Sequence, residues 1–97
     1  MHSITCEEFK KLEETKEMNF QLIDVREIEE HEEFHIKNST LIPLSSFEQN
    51  IEDLDKEQTY ILYCRAGRRS LTAQEIMLNK GFKNVINLIG GTLSYQS

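Results

Sequence analysis

The sequence predicts a small α/β domain in which a mostly parallel sheet is flanked by helices on both faces. Short apolar, branched runs typical of strands alternate along the chain with segments whose apolar residues recur at helical spacing. This alternation is typical of parallel strands joined by crossover helices. The chain has 97 residues, which suits one domain, so residues 1–97 are assigned to a single domain.

The first half of the chain opens with a helix signal. Thr5 is followed three positions later by Glu8, which is the spacing of a capping box. We therefore expect a helix here, with Phe9 and Leu12 on its inner face. The apolar run at residues 20–25 then predicts a buried strand.

Three shorter elements are expected before the middle of the chain. The acidic stretch 27–34 predicts a short helix, and residues 40–42 predict a short strand that Pro43 ends. Ser45 and Glu48 repeat the capping-box spacing and predict another helix. The apolar stripe of that helix contains three residues: Phe47, Ile51 and Leu54.

The clearest strand, at residues 59–63, is aromatic, branched and uncharged, and it runs directly into Cys64. A loop follows, with Ser70 as the expected N-cap of a helix over residues 71–80. Gly81 is expected to end that helix. Two further elements are predicted beyond it: a strand at residues 84–89 and one helical turn at residues 92–97.

Charge is unevenly spread along the chain, whose net charge is −6. Residues 1–58 hold 16 acidic and 6 basic side chains, whereas residues 59–97 hold 1 acidic and 5 basic. The acidic body argues against a nucleic-acid partner, which needs a wide basic surface. Three arginines lie within five positions of Cys64, and this cluster favours an anion site over a merely solvated surface.

Several classes of protein are not expected from this sequence. No apolar run approaches the roughly 20 residues that span a bilayer, and the N-terminus lacks a signal-peptide pattern. We therefore expect a cytoplasmic monomer without a membrane or nucleic-acid partner. Cys6 and Cys64 are expected as free thiols, and neither a metal nor a cofactor is expected.

The segment after the strand can activate a thiol. A loop that leads into a helix presents unsatisfied backbone N–H groups, and the helix dipole adds positive charge. Gly67 permits a tight curl around Cys64, so these amides can form an anion-binding nest. A cysteine in such a nest should be largely thiolate at neutral pH. Cys6, in the first turn of a helix without basic neighbours, is expected to be inert.

Two motifs make the chain resemble the rhodanese-like sulfurtransferase domains. The first, at residues 22–44, contains DVRE, HI and IPL in order, and the second, at residues 63–95, contains CRAGRRS, GFKNV and a glycine pair. Against the family pattern, glycine is replaced at two positions, asparagine at one and tryptophan at one, and the C-terminal helix is short. The residues that differ from the family pattern are Phe34, Asn38, Leu41 and Tyr95.

The resemblance implies a double displacement through a persulfide of Cys64. The donor is a small sulfur-carrying anion such as thiosulfate, or a persulfide-carrying protein, and the acceptor is cyanide or a thiol. The residues implied to bind the substrate follow Cys64: Arg65, Ala66, Gly67, Arg68, Arg69 and Ser70.

The arginines of the loop have different expected roles. Arg69 is expected mainly to brace the loop, whereas Arg65 and Arg68 are expected to meet the anionic donor. Asp24 and Arg26 are expected to form a buried or half-buried pair beneath the loop, and structural support of the site is at least as well founded for this pair as a direct part in catalysis.

Three alternatives remain open. A cysteine phosphatase or arsenate reductase needs five residues between cysteine and arginine, whereas Arg69 follows Cys64 after four. Residues 31–35 match the zinc-protease pattern HExxH, which an acid-rich stretch produces easily by chance. The third alternative is a catalytically weak domain that binds a partner or senses sulfur.

Overall fold

The computed structural model describes residues 2–97. All five strands run parallel in one sheet, in the order β1-β5-β4-β2-β3. The strands are β1 Ser3–Ile4, β2 Gln21–Asp24, β3 Ser39–Leu41, β4 Thr59–Tyr63 and β5 Asn84–Leu88. The helices are α1 Cys6–Thr15, α2 Ile28–Glu33, α3 Phe47–Asn50, α4 Arg68–Asn79 and α5 Gly91–Gln96, with a 3₁₀ turn at Leu44–Ser46 before α3.

Helices cover both faces of the sheet, as predicted, and the fold class is confirmed. Side chains alternate along β4: Ile61 and Tyr63 pack with residues of α1 and α5, whereas Leu62 and Cys64 pack with residues of α3 and α4. Because both faces are buried, the middle residues of the central strands are mostly apolar, and Asp24 and Asn87 are buried polar exceptions. None of the helices within residues 2–97 has the length and apolar character needed to cross a bilayer.

The predicted signals at the start of α1 and at the end of α4 are confirmed. At α1, the Glu8 amide donates to Thr5 Oγ1 at 3.1 Å, and the Thr5 amide donates to Glu8 Oε1 at 3.0 Å. At the end of α4, Gly81 has φ +93° and its amide donates to the Leu78 carbonyl. The Phe82 amide donates to the Met77 carbonyl, which completes a Schellman motif.

The capping box predicted at Ser45 and Glu48 is absent, so this prediction is wrong. The chain forms a 3₁₀ turn before α3, so Ser45 lies inside that turn, and its hydroxyl donates to Glu27 instead of capping the helix. Ser46 occupies the N-cap position without a side-chain cap bond. The helix ends at Asn50, so Ile51 caps its C-terminus and is still buried.

Strand β1 was not predicted from the sequence. It has two residues, too few to show a periodicity, and it pairs Ser3 with Asn87 and Ile4 with Leu88 at the edge of the sheet. One departure from the family pattern also has a structural reason. Asn38 has φ +71°, in the left-handed region where glycine is most at ease and where asparagine is among the better-tolerated residues.

Candidate active site around Cys64

Cys64 follows β4 at the carboxyl edge of the sheet, where ligands of parallel α/β sheets bind. Its backbone is fixed by the segment after β5. The Thr92 amide donates to the Cys64 carbonyl at 2.9 Å, and the Leu93 amide donates to the Arg65 carbonyl at 3.1 Å. A Cβ atom on Gly91 would lie 2.1 Å from the Cys64 carbonyl oxygen, so only glycine permits this approach. The second motif's glycine pair therefore positions the cysteine loop.

The loop that follows Cys64 folds back onto its sulfur. The Gly67 amide donates to Sγ at 3.0 Å, and the Ser70 hydroxyl lies 3.4 Å from Sγ. Gly67 has φ +101°, which allows the loop to curl back over the sulfur. These contacts form a nest around the sulfur of Cys64, a residue that is only 1% exposed.

The pKa of Cys64 lies below the ordinary value of a thiol. Burial raises this pKa, because it penalises the thiolate. The Ser70 hydroxyl, when its proton points to the sulfur, and the amides of Ser70, Gly67 and Ala66 act in the opposite direction and outweigh burial. The arrangement therefore favours a thiolate without a histidine base.

Ser70 is not the N-cap of α4, which corrects the prediction. Gly67 caps the helix in a left-handed conformation, so α4 begins at Arg68 and Ser70 lies within its first turn. The Ser70 side chain is fully buried, and its hydroxyl donates to Oδ1 of Asn87 at 2.5 Å. Ser70 therefore lies between Cys64 and β5 instead of ending the loop.

The three arginines near Cys64 have different surroundings. Arg65 and Arg68 are exposed at the rim of the loop. Arg69 donates two hydrogen bonds to the Glu30 carboxylate, at 2.7 and 2.9 Å. Its guanidinium is therefore held against α2, whereas a phosphatase arginine must be available to a phosphoryl group.

The expected ion pair of Asp24 and Arg26 is present and buried. Arg26 donates to both carboxylate oxygens of Asp24, at 2.9 and 2.8 Å, and also to the Phe34 carbonyl. The Arg26 guanidinium lies 5.5 Å from the centre of the Tyr63 ring. Burial raises the pKa of Asp24, but bonds from Arg26 and His31 outweigh burial and hold this pKa below its usual value.

A cleft of about 270 Å³ lies beside the loop. Its lining mixes charged and apolar side chains from α2, the cysteine loop and α5 and includes Arg26, Glu30, Phe34, Arg65, Leu93 and Gln96. Arg65 directly follows Cys64 in the chain, so a small anion held in this cleft would lie close to the loop.

The HExxH motif does not form the helical pair that zinc proteases use. Helix α2 ends at Glu33, so His35 lies beyond it. The two rings stack at 3.9 Å, and His31 Nδ1 lies 2.8 Å from the Asp24 carboxylate. Within residues 2–97, no three His, Cys, Asp or Glu side chains are arranged to hold a metal ion.

Three residues of the site are not predicted from the sequence: Glu30, Asn87 and Gly91. Glu30 and Asn87 lie 39 and 17 positions from the residues they contact, and no local pattern announces such contacts. The tight packing of Gly91 under Cys64 could have been inferred from the glycine pair after a strand, because paired glycines there indicate a close backbone approach.

Comparisons with known proteins show the family to which the chain belongs. The family model for the rhodanese-like domain matches residues 5–97. The Bacillus subtilis protein YtwF, named as a sulfurtransferase, is 36% identical over 90% of this chain and 82% of its own. The thiosulfate sulfurtransferase GlpE of Coxiella burnetii is 33% identical over 78% of this chain and 71% of its own.

A third relative is longer than this chain. YrkF of Bacillus subtilis, named as a sulfur carrier protein, is 39% identical over 91% of this chain, but the match spans only 47% of YrkF.

Among solved structures, a rhodanese-like domain protein from Staphylococcus aureus is 30% identical, with a TM-score of 0.89 over 98% of this chain and 91% of its own. A human single-domain sulfurtransferase has a TM-score of 0.88 over 99% of this chain and 96% of its own. At 20% identity that likeness shows the fold alone.

Proposed function

Because the chain belongs to the rhodanese-like domain family, we propose that it is a sulfurtransferase that carries a sulfane sulfur on Cys64. The observation that carries this proposal is the buried sulfur, which accepts the Gly67 amide at 3.0 Å and has a lowered pKa. A thiol attacks sulfur as its thiolate, and the hydrogen bonds of the nest favour this form without a separate base.

The proposed reaction has two displacements. The Cys64 thiolate attacks the outer sulfur of thiosulfate, a new S–S bond forms, and sulfite leaves with the electron pair of the broken donor bond. The persulfide that remains has an anionic terminal sulfur. Cyanide or a thiolate then attacks that sulfur, takes it, and releases the Cys64 thiolate with the electron pair of the persulfide bond.

The same loop serves both charged states. Its amides, from Arg65 to Ser70, stabilise first the thiolate and then the persulfide. The exposed Arg65 and Arg68 attract the anionic donor, whereas Arg69 holds the loop through Glu30. The buried pair of Asp24 and Arg26 supports the loop structurally from the neighbouring strand β2.

The donor class is a small sulfur anion or a protein persulfide. Cys64 is 1% exposed, so a donor must present its sulfur at a narrow tip to reach it. Thiosulfate has this shape, and so does a cysteine persulfide on an exposed segment of a partner protein. We propose that the chain acts as a monomer without a metal or organic cofactor.

The test is formation of the persulfide. The protein is incubated with thiosulfate, and its intact mass is measured before and after cyanide addition. We expect a gain of one sulfur atom that cyanide removes as thiocyanate. Cys64→Ser should show neither event, and the matched control Cys6→Ser should show both. Thiocyanate production that persists in Cys64→Ser would disprove the assignment.

A binding or sulfur-sensing domain is the second candidate. The observation that favours it is the burial of Cys64, which restricts turnover more than it restricts a single loading event. The two candidates differ in kinetics. A sensor forms one persulfide per chain and releases thiocyanate slowly, whereas a sulfurtransferase continues through many turnovers with excess thiosulfate and cyanide.

A further inference from the structure

The side chain of Asn87 lies behind the cysteine loop on β5. Side chains alternate along a strand, so Asn87 and Val85 point to the face of the sheet that α4 covers. Asn87 is buried, with 4% of its surface exposed. Its amide meets the Ser70 hydroxyl, which in turn lies 3.4 Å from the Cys64 sulfur. The side chains of Cys64, Ser70 and Asn87 therefore form one hydrogen-bonded chain.

The hydroxyl of Ser70 has a single proton, and this limits what the chain can do. While Ser70 donates to Oδ1 of Asn87, it has no proton to donate to sulfur. It can then only accept a hydrogen bond from a protonated Cys64 thiol. This direction of the chain matches the thiol and does not match a thiolate, which accepts hydrogen bonds and donates none.

The opposite direction requires the Asn87 amide to rotate by half a turn. Its NH₂ group then donates to the Ser70 oxygen, and the Ser70 proton turns to the sulfur. The oxygen and nitrogen of an amide have nearly the same shape, so the rotation needs no additional space. When Cys64 ionises, its thiol proton leaves to water, and the Ser70 proton stays on its own oxygen with a new acceptor.

We propose that Asn87 is a positioning residue that acts through Ser70, and that its amide reverses orientation when Cys64 becomes anionic. The proposal rests on the assignment of Cys64 as the sulfur-carrying residue. An asparagine is suited to this position because one side chain provides both an acceptor and a donor. Aspartate would offer only acceptors when ionised, and leucine would offer neither.

The direct test follows the Asn87 side chain as Cys64 ionises. The Cys6→Ser variant is labelled with ¹⁵N, and the side-chain NH₂ signals of Asn87 and Asn84 are recorded by NMR across the Cys64 titration. Asn84 lies on the same strand, but its side chain is exposed, so it is the matched control. The Asn87 signals are expected to shift with the midpoint of Cys64 ionisation, and the Asn84 signals should not.

Two variants show whether the ionisation of Cys64 affects Asn87 through the hydroxyl of Ser70. Cys64→Ser should abolish the shift of the Asn87 signals, and Ser70→Ala should remove most of it. Asn87 signals that stay unchanged while Cys64 ionises would overturn the proposal, and so would an unchanged response in Ser70→Ala. The NMR measurement needs no sulfur donor, so its outcome is independent of persulfide formation. The reorientation of Asn87 can therefore be disproved while the proposed sulfur transfer is upheld, and sulfur transfer can be disproved while the reorientation is upheld.

A second measurement uses reactivity. Asn87→Asp fixes an acceptor opposite Ser70 and should slow iodoacetamide alkylation of Cys64 by about tenfold at pH values well below the ionisation midpoint, which corresponds to a rise of one pKa unit. Part of that effect is simple charge repulsion, so the Asn87→Asp substitution is also made in the Ser70→Ala variant and the alkylation rates are compared again. The slowing should then be clearly smaller, whereas an equal slowing with and without the hydroxyl contradicts the proposal. Asn84→Asp should leave the rate unchanged.

Discussion

Arg69 holds Glu30 through two parallel hydrogen bonds, Nη1 to Oε1 at 2.7 Å and Nη2 to Oε2 at 2.9 Å. The pair joins the first turn of α4 to the first turn of α2 across 39 positions of sequence. This bidentate geometry is the strong form of the arginine–carboxylate contact. Because the cysteine loop leads directly into α4, the pair fixes the far end of that loop.

Breaking this pair should loosen the cysteine loop. We expect Arg69→Ala and Glu30→Gln each to lower the free energy of unfolding by about 1 kcal/mol, since both side chains are about one-third exposed. Both variants should also form the Cys64 persulfide more slowly. Chemical denaturation and the thiosulfate reaction measure the two effects.

The control for that prediction is a second ion pair. Lys80 and Glu48 lie 3.3 Å apart and are both well exposed, so Glu48→Gln should change neither stability nor persulfide formation measurably. A persulfide rate in Arg69→Ala equal to that of the unchanged protein would show that the bracing role is wrong.

The same pair predicts how stability depends on acidity. The Arg69 guanidinium lowers the pKa of Glu30 to about 2 in the folded protein. A lowered pKa contributes stability that is fully present above the unfolded value of 4.5 and is lost as pH falls toward 2. Glu30→Gln should therefore lose part of the pH dependence of the unfolding free energy between these limits. If the unfolding free energy of Glu30→Gln depends on pH as steeply as that of the unchanged protein between these limits, the pKa of Glu30 is not lowered in the folded state.

Removing one member of the buried pair Asp24–Arg26 should destabilise the protein more than removing one member of the partly exposed pair Arg69–Glu30. Arg26→Leu leaves the Asp24 carboxylate without its main partner, and Asp24 is fully buried. We expect a loss of about 3–5 kcal/mol in the free energy of unfolding. The double variant Asp24→Asn with Arg26→Leu should lose less than the sum of the single changes, whereas additive losses would mean that the two side chains act independently.

Gly91 should tolerate no side chain. A Cβ atom there would meet the Cys64 carbonyl oxygen at 2.1 Å, so Gly91→Ala must displace the cysteine loop. We expect a loss of about 3 kcal/mol or more and little persulfide formation. Gly81→Ala is the control, because φ is also positive but the nearest atom is the Lys56 Cδ at 3.9 Å. It should cost about 1–2 kcal/mol and leave persulfide formation intact. Similar losses in both variants would contradict the role of the close approach.

The sequence allowed most of the fold to be predicted, because the signals were local. The strand at residues 59–63 and the capping box at Thr5 depend on neighbouring residues, and the structure contains both. The two-residue strand β1 could not be predicted, since its existence depends on pairing with β5 at the other end of the chain.

The site was predictable in part for the same reason. Cys64, Gly67 and the arginines lie within one short segment, so their proximity follows from the chain itself. Ser70 was placed correctly in this segment but wrongly as a cap, because the sequence does not show that Gly67 already ends the loop. The contacts of Asn87 and Glu30 arise only when the sheet and helices have packed.

The proposed sulfur transfer depends on a loop that keeps Cys64 ionised. The most direct measurement is the pH dependence of iodoacetamide alkylation of Cys64 in the Cys6→Ser variant, supported by the ultraviolet absorbance of the thiolate. We expect the midpoint to lie below that of an ordinary cysteine and to rise in Ser70→Ala, because the hydroxyl bond to sulfur is lost. A midpoint at or above the ordinary thiol value in the unsubstituted loop would contradict the account.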